Sequence, residues 1–436
     1  MRSGTATSRR GLAAIGITVL LAGCASAAGS EVPGAVPAGP GAGRAPITIG
    51  AVFPVHGMQS VLAGQELQGV RLAVQLVNAS GGVGGRKVDL AVQDLETRDQ
   101  AATAVAAVKR AGASIVIGAF SSQLSMPAAA AASQDGLVYW EAGAVADQLT
   151  GPGSPLVFRI GATGGDLGRN SAGFAANVLA PRLGLSPAST RVAVLYENDD
   201  YGQSVADAAM ATARSEGMPL VASVSYDAYA PQWGPVLQQL ALAHPDVLVL
   251  ASYIPDGIAF RRAMLASGLH VGALIGSTMA ECGPTFGSEL GPQAVGVFAS
   301  DRPEGGFNPS ALDVTGARDY DRLAAAWKAA TGQPAPTEEG LAGFSAAWAL
   351  LHYVLPRAVS AGALSPAKVA SAANSTVLPA GSLPNGAGLH FGTGAQLGQN
   401  VLAAAVIWQW QSPGHSVVVW PPAYATGTPR FLPLPA

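Results

Sequence analysis

Ser121 and Ser122 stand where the apolar run Ser114–Gly118 ends and an alanine-rich stretch begins. A strand that gives way to a helix there exposes first-turn N–H groups that favour an anion, and a serine hydroxyl adds a hydrogen bond. The same serine could equally act as an N-cap alone. Trp140 and Glu141 close a second apolar run, in Trp140-Glu141-Ala142-Gly143-Ala144. An indole face beside a carboxylate suits a cationic or amide nitrogen; a core tryptophan with a solvated glutamate is the plainer alternative. Tyr201, in Asn198-Asp199-Asp200-Tyr201-Gly202, and Tyr253, after the run Val247–Ala251, each carry a flat face and a hydroxyl. Both features would serve a lid, although turn aromatics look the same. Gln59 and Ser60, in the loop that follows the first apolar run, are further candidates for polar contact.

Enzymatic constellations are missing from this chain. There is no Gly-x-Ser-x-Gly elbow, no Gly-Lys-Ser/Thr phosphate loop and no His-Glu-x-x-His pair. The glycines at 81–85 read as a helix stop and turn. The histidines (56, 244, 270, 352, 390 and 415) are scattered and form no metal set. No catalytic residue, cofactor or metal is therefore expected.

The elements that must position the candidates alternate between strand and helix. Ile47–Phe53 is a short apolar run of the kind buried on both faces of a parallel sheet. A helix over 62–78, strands at 88–94, 114–119 and 137–140, and a helix at 100–111 follow. After Phe158-Arg159-Ile160 the alternation restarts, with strands at 192–196, 220–225, 247–251, 273–276 and 295–299. A long helix at 341–355 and late strands at 401–410 and 417–420 complete the chain. Two such series predict an α/β fold with two doubly wound lobes. The expected organisation is lobe I over 47–160, completed by about 302–375, and lobe II over 161–301, completed by about 376–425.

The ends carry separate information. Residues 1–23 read as an export signal: Arg2, Arg9 and Arg10 precede the apolar run Leu12–Leu21, which falls short of the about 20 residues a spanning helix needs. Leu21-Ala22-Gly23-Cys24 resembles a bacterial lipobox, with Cys24 as the lipidated thiol. Residues 24–46, dominated by Ala, Gly, Pro and Ser, read as a flexible tether. Losing the signal would move the net charge from −3 to −6, because three arginines and no acid leave with it. That balance gives no electrostatic footprint for nucleic acid. With the Cys24 thiol used by lipidation, Cys282 is the sole free cysteine, so no intrachain disulfide is available.

Several stretches resemble the type I periplasmic binding proteins of the branched-chain amino acid family, in an actinobacterial-like version rich in Ala and Gly. The strongest is Leu72–Gly85, an apolar helix followed by Asn78-Ala79, a Gly81-Gly82 stop and a second glycine pair. Gly118-Ala119-Phe120-Ser121-Ser122, Phe158-Arg159, Asp200-Tyr201-Gly202 and Pro245-Asp246-Val247 continue the pattern in order. The resemblance implies two hinged lobes that trap a ligand, Ser121-Ser122 as the seat of its carboxylate, and Tyr201 closing from the second lobe. Trp140-Glu141 departs from the family's small residues there, with Gly143 and Ala144 following. Thr278 stands where the family has an acid for the ligand's amino group, the nearest carboxylate being Glu281. The implied function is a lipid-anchored, extracytoplasmic, monomeric solute-binding protein. It would deliver an amino acid, amide or related ligand to an ABC transporter permease. A sensor of the same fold, signalling to another partner, is the alternative.

Overall fold

Runs of aliphatic and β-branched residues form twelve strands in the computed structural model, which describes residues 45–435. The signal, Cys24 and the tether up to residue 44 lie outside the described residues. The first sheet contains β1 (Ile47–Phe53), β2 (Val88–Asp94), β3 (Ile115–Gly118), β4 (Val138–Glu141) and β5 (Val157–Arg159). All its pairs are parallel, in the order β2-β1-β3-β4-β5. The second contains β6 (Val192–Glu197), β7 (Leu220–Tyr226), β8 (Val247–Ala251), β9 (Ala273–Ser277), β10 (Phe298–Asp301), β11 (Val406–Ser412) and β12 (His415–Trp420). Its order is β12-β11-β10-β9-β8-β6-β7, parallel except for the pairs that β11 makes.

The parallel part of the second sheet, β7-β6-β8-β9-β10, repeats the order of the first. Each lobe therefore reverses its strand order at one switch point, β1/β3 in the first and β6/β8 in the second. Ligands of open α/β sheets bind beyond the carboxyl ends of strands at such points. The chain leaving those ends carries Gln59 and Ser121 at helix starts in one lobe, and Tyr201 and Tyr253 at helix starts in the other.

Late chain segments return to both lobes. The helix Glu338–Trp348 is wholly buried and packs on the helix Ser60–Ala79. Their backbones meet at Gly69, where a Cβ would lie 2.1 Å from the Gly340 carbonyl oxygen, so only glycine allows the approach. Phe391 packs on Trp140 and Phe158, with ring centroids 5.5 and 4.9 Å away. The segment after residue 376 thus still lies against the first lobe, and the return to the second sheet comes with β11.

Other boundaries move for local reasons. The late strand starts at Val406 rather than 401 because the Asn400 side chain donates to the Ile160 and Gly388 carbonyls and accepts from His390 and Leu402 N–H. Those bonds hold residues 399–402 in a crossover instead of a ladder. The strand expected at 295–299 is displaced to Phe298–Asp301 by a tight helical turn over Gly291–Ala294. The helices around 164–182 and 338–360 each contain a widened π turn, Ala175–Leu179 and Ala349–Val354. Pro181 and Pro356 follow these turns by two residues, and each ring would clash with a carbonyl four residues back in a regular helix.

Candidate functional site

Loops from the two switch points meet around one small cavity. Phe120, Ser121, Ser122, Gly143, Ala144 and Val145 line it from the first lobe. Tyr201, Tyr253, Thr278 and Met279 line it from the second, and Arg302, just after β10, completes the wall. The free space holds the centre of a water-sized sphere over only about 10 Å³. That is room for about one water.

Ser121 is the N-cap of the helix Ser122–Gln134, in extended backbone conformation. Its hydroxyl is buried and has no hydrogen-bond partner among the described residues. An unpaired hydroxyl beside free first-turn N–H groups is a prepared donor site for an anionic or carbonyl oxygen. Ser122 is already engaged: its Oγ accepts from Val145 N (3.3 Å) and Ala146 N (3.0 Å), which ties the loop after β4 to the helix start.

The tyrosines pack edge to face, with centroids 5.3 Å apart. The Tyr201 hydroxyl donates to the carbonyls of Ser277 and Ser252. The Tyr253 hydroxyl donates to Asp199 Oδ2 at 2.6 Å. Both hydroxyls thus brace the second lobe, and their rings form the wall. Burial pushes both phenols well above the usual tyrosine range, so both stay protonated. Thr278 and Met279 have φ of +48° and +52°, a left-handed pair without glycine. Strained backbone of this kind persists only where the surroundings dictate it.

Several expected contacts lie elsewhere. Trp140 was expected in the cleft but is fully buried in the first-lobe core, where its Nε1–H donates to the Ala346 carbonyl at 2.8 Å. Glu141 is equally buried and accepts from Gly143 N (2.7 Å) and Ala144 N (2.8 Å) through Oε1. It shapes the cavity wall without lining it, and burial raises its carboxyl to about 7. Glu281 is buried beneath the Thr278 loop, accepts from the Ser252 hydroxyl, and is pushed by burial to about 8. Ser60 opens the helix Ser60–Ala79 and donates to the Gly57 carbonyl, outside the cavity. Gln59 borders two neighbouring chambers instead.

Two residues of the site escaped the sequence reading. Arg302 spans the interlobe boundary: Nη1 donates to the Gly143 carbonyl at 2.8 Å, and Nε lies 2.5 Å from Glu338 Oε1. Glu66 is fully buried behind Gly143, where a Cβ would meet its Oε2 at 2.4 Å. Neither of its oxygens has a hydrogen-bond partner among the described residues. Burial raises the Glu66 carboxyl well above the usual range despite the opposing pull of Arg302. The Asp301-Arg302 pair at a strand end was the one available signal for Arg302. Glu66, flanked by apolar helix positions, offered none. No group of three or more metal-ligating side chains occurs among the described residues, and no described helix is long and apolar enough to cross a membrane.

Two α/β lobes of repeated topology, with facing switch points around a buried cavity, define a bilobed binding protein. The chain belongs to the periplasmic binding protein family, whose profile matches residues 46–411. It is 28% identical over 396 residues to the Leu/Ile/Val-binding protein homolog 8 of Brucella abortus, covering 89% of this chain and 94% of that protein. A leucine binding protein from Thermotoga maritima superposes with a TM-score of 0.71 at 18% identity, over 86% of this chain and 98% of that one. An ABC transporter substrate-binding protein from Desulfitobacterium hafniense, in complex with Leu, gives 0.66 at 23% identity, over 86% and 100%. The chain is thus a relative of non-catalytic binding proteins, and its role is non-enzymatic as theirs is.

Proposed function

We propose that this protein captures a small polar ligand, an amino acid, amide or related compound, between its lobes and delivers it to an ABC permease. The observation that carries this reading is the convergence of loops from both switch points on one cavity, whose lining includes Tyr201 and Ser121 with its unpaired hydroxyl. The ligand's carboxylate or carbonyl oxygen sits at the Ser121 helix start. The tyrosine rings close over it, and Gly143, Ala144 and Thr278 supply the surrounding walls. Because the present space admits about one water, entry requires the lobes to part at their crossovers, a hinge motion that two-lobed binding proteins use.

We further propose export followed by lipidation at Cys24, which would keep the protein at the extracytoplasmic face of the membrane as a monomer. Lobe I comprises 47–160 with the later helices that cover its sheet, and lobe II comprises 161–301 with β11 and β12.

Melting curves with amino acids, amides, urea and polyamines test ligand capture. A ligand at 100 times its dissociation constant should stabilise the protein by about 2.7 kcal/mol. A melting temperature that no compound moves would contradict the reading. For the anchor, Cys24→Ser should release the protein from membranes; continued anchorage would contradict lipidation there.

A further inference from the structure

Beside the small central cavity, and sharing Tyr253 and Met279 with it, lies a chamber of about 450 Å³. That volume falls in the roughly 300–1,000 Å³ range of small-molecule pockets. Met58 enters it from the first lobe, and Tyr229, Ile254 and Ile258 from the second. Its charged neighbours are already matched. Asp256 accepts from the Tyr226 hydroxyl (2.5 Å) and from Tyr253 N (3.1 Å), and Arg262 pairs with Glu289 at 2.7 Å on the rim. No unmatched charge therefore calls for an ionic occupant. Apolar surface left in such a chamber favours an apolar one, at roughly 25 cal/mol per Å² buried.

The junction between the two spaces is formed by backbone. The left-handed backbone at Thr278 and Met279 sets the Met279 side chain between the two spaces. A methionine adapts its shape to what passes beside it. The central cavity has room for little more than a head group, whereas the chamber has room for a ring system.

We infer that the ligand has an apolar tail, aromatic or larger than a leucine side chain, which fills this chamber while its polar head lies at Ser121. The inference rests on the binding function proposed above and narrows the ligand class. Leucine-sized compounds would leave most of the chamber unfilled.

Calorimetric titration of the full chain tests this, using alanine, leucine, phenylalanine and homophenylalanine, each also as its amide and its des-amino acid. Affinity should rise at least tenfold from the leucine to the phenylalanine members. Ala228, half-buried on the chamber wall, engages Glu197 only through its backbone N–H. Ala228→Trp should therefore fill the chamber without removing that bond. It should weaken the aromatic members about tenfold or more while leaving alanine within about threefold. Ile254→Trp is the second variant, should Ala228→Trp melt early. Leucine binding as tightly as the aromatic members, or an aromatic affinity that neither tryptophan changes, would overturn the apolar tail and leave the binding function standing. Absence of binding across all twelve compounds would overturn both.

Discussion

Replacing Glu281 by glutamine should remove a pH dependence that the wild-type fold carries. The carboxyl is fully buried beneath the loop that holds Thr278 and Met279, with only the Ser252 hydroxyl donating to it. Burial raises it from 4.5 to about 8. Between those values the native protein keeps a proton that the unfolded chain releases. Stability contributed by this group is therefore full below the unfolded value and is lost as pH rises through about 8. One unit of pH inside that window is worth up to about 1.4 kcal/mol, so from about pH 5.5 to 7.5 the wild type should lose roughly 2–3 kcal/mol at this site. Glutamine keeps the shape of the neutral acid and has nothing to ionise. Urea unfolding of both proteins across that range reads the difference, and other buried acids such as Glu66 and Glu141 cancel because both proteins have them. The gap should shift steadily in favour of Glu281→Gln as pH rises. Parallel stability curves would refute the buried, protonated Glu281.

Trp140→Phe should lower stability by about 1–3 kcal/mol, because the Ala346 carbonyl loses its buried donor. Ligand affinity should change less than about twofold; a tenfold loss would return Trp140 to the cleft. Arg302→Met should destabilise by about 3–5 kcal/mol, since Glu338 keeps its burial and loses its cation. Burial already pushes the Glu338 carboxyl well up, so this variant should deteriorate further with rising pH. A pH-independent loss, followed by denaturant unfolding, would show that Glu338 is not the group left stranded.

What the sequence disclosed tracks how local each signal is. Ser121-Ser122 announces itself by a strand run that stops and an alanine-rich helix that starts, all within about twenty residues. The alternation also yields the two doubly wound sheets, because each strand is a short apolar run. Trp140 shows the limit. β4 is buried on both faces, so hydrophobic pattern alone could not say whether the indole faced the cleft or Phe158 and Phe391. Arg302 depends on Gly143 and Glu338, which only the folded chain brings to it. Glu66 occupies one polar position on an otherwise apolar helix face, indistinguishable in sequence from an exposed residue. The route by which residues 376–400 cover Trp140 likewise depends on Asn400 bonding to Ile160 and Gly388.

Ligand capture as proposed requires the lobes to close at the Ser121 and Tyr201 segments. Spin labels at Arg98→Cys and Ala230→Cys would sit on exposed positions flanking the cleft from opposite lobes, and the remaining described cysteine, Cys282, is buried. Pulsed EPR distances should be recorded without ligand and with the compound that most raises the melting temperature. Closure predicts a broad distribution that collapses to a single shorter distance when that compound saturates the protein. An unchanged distribution, alongside measurable binding, would contradict capture between the lobes.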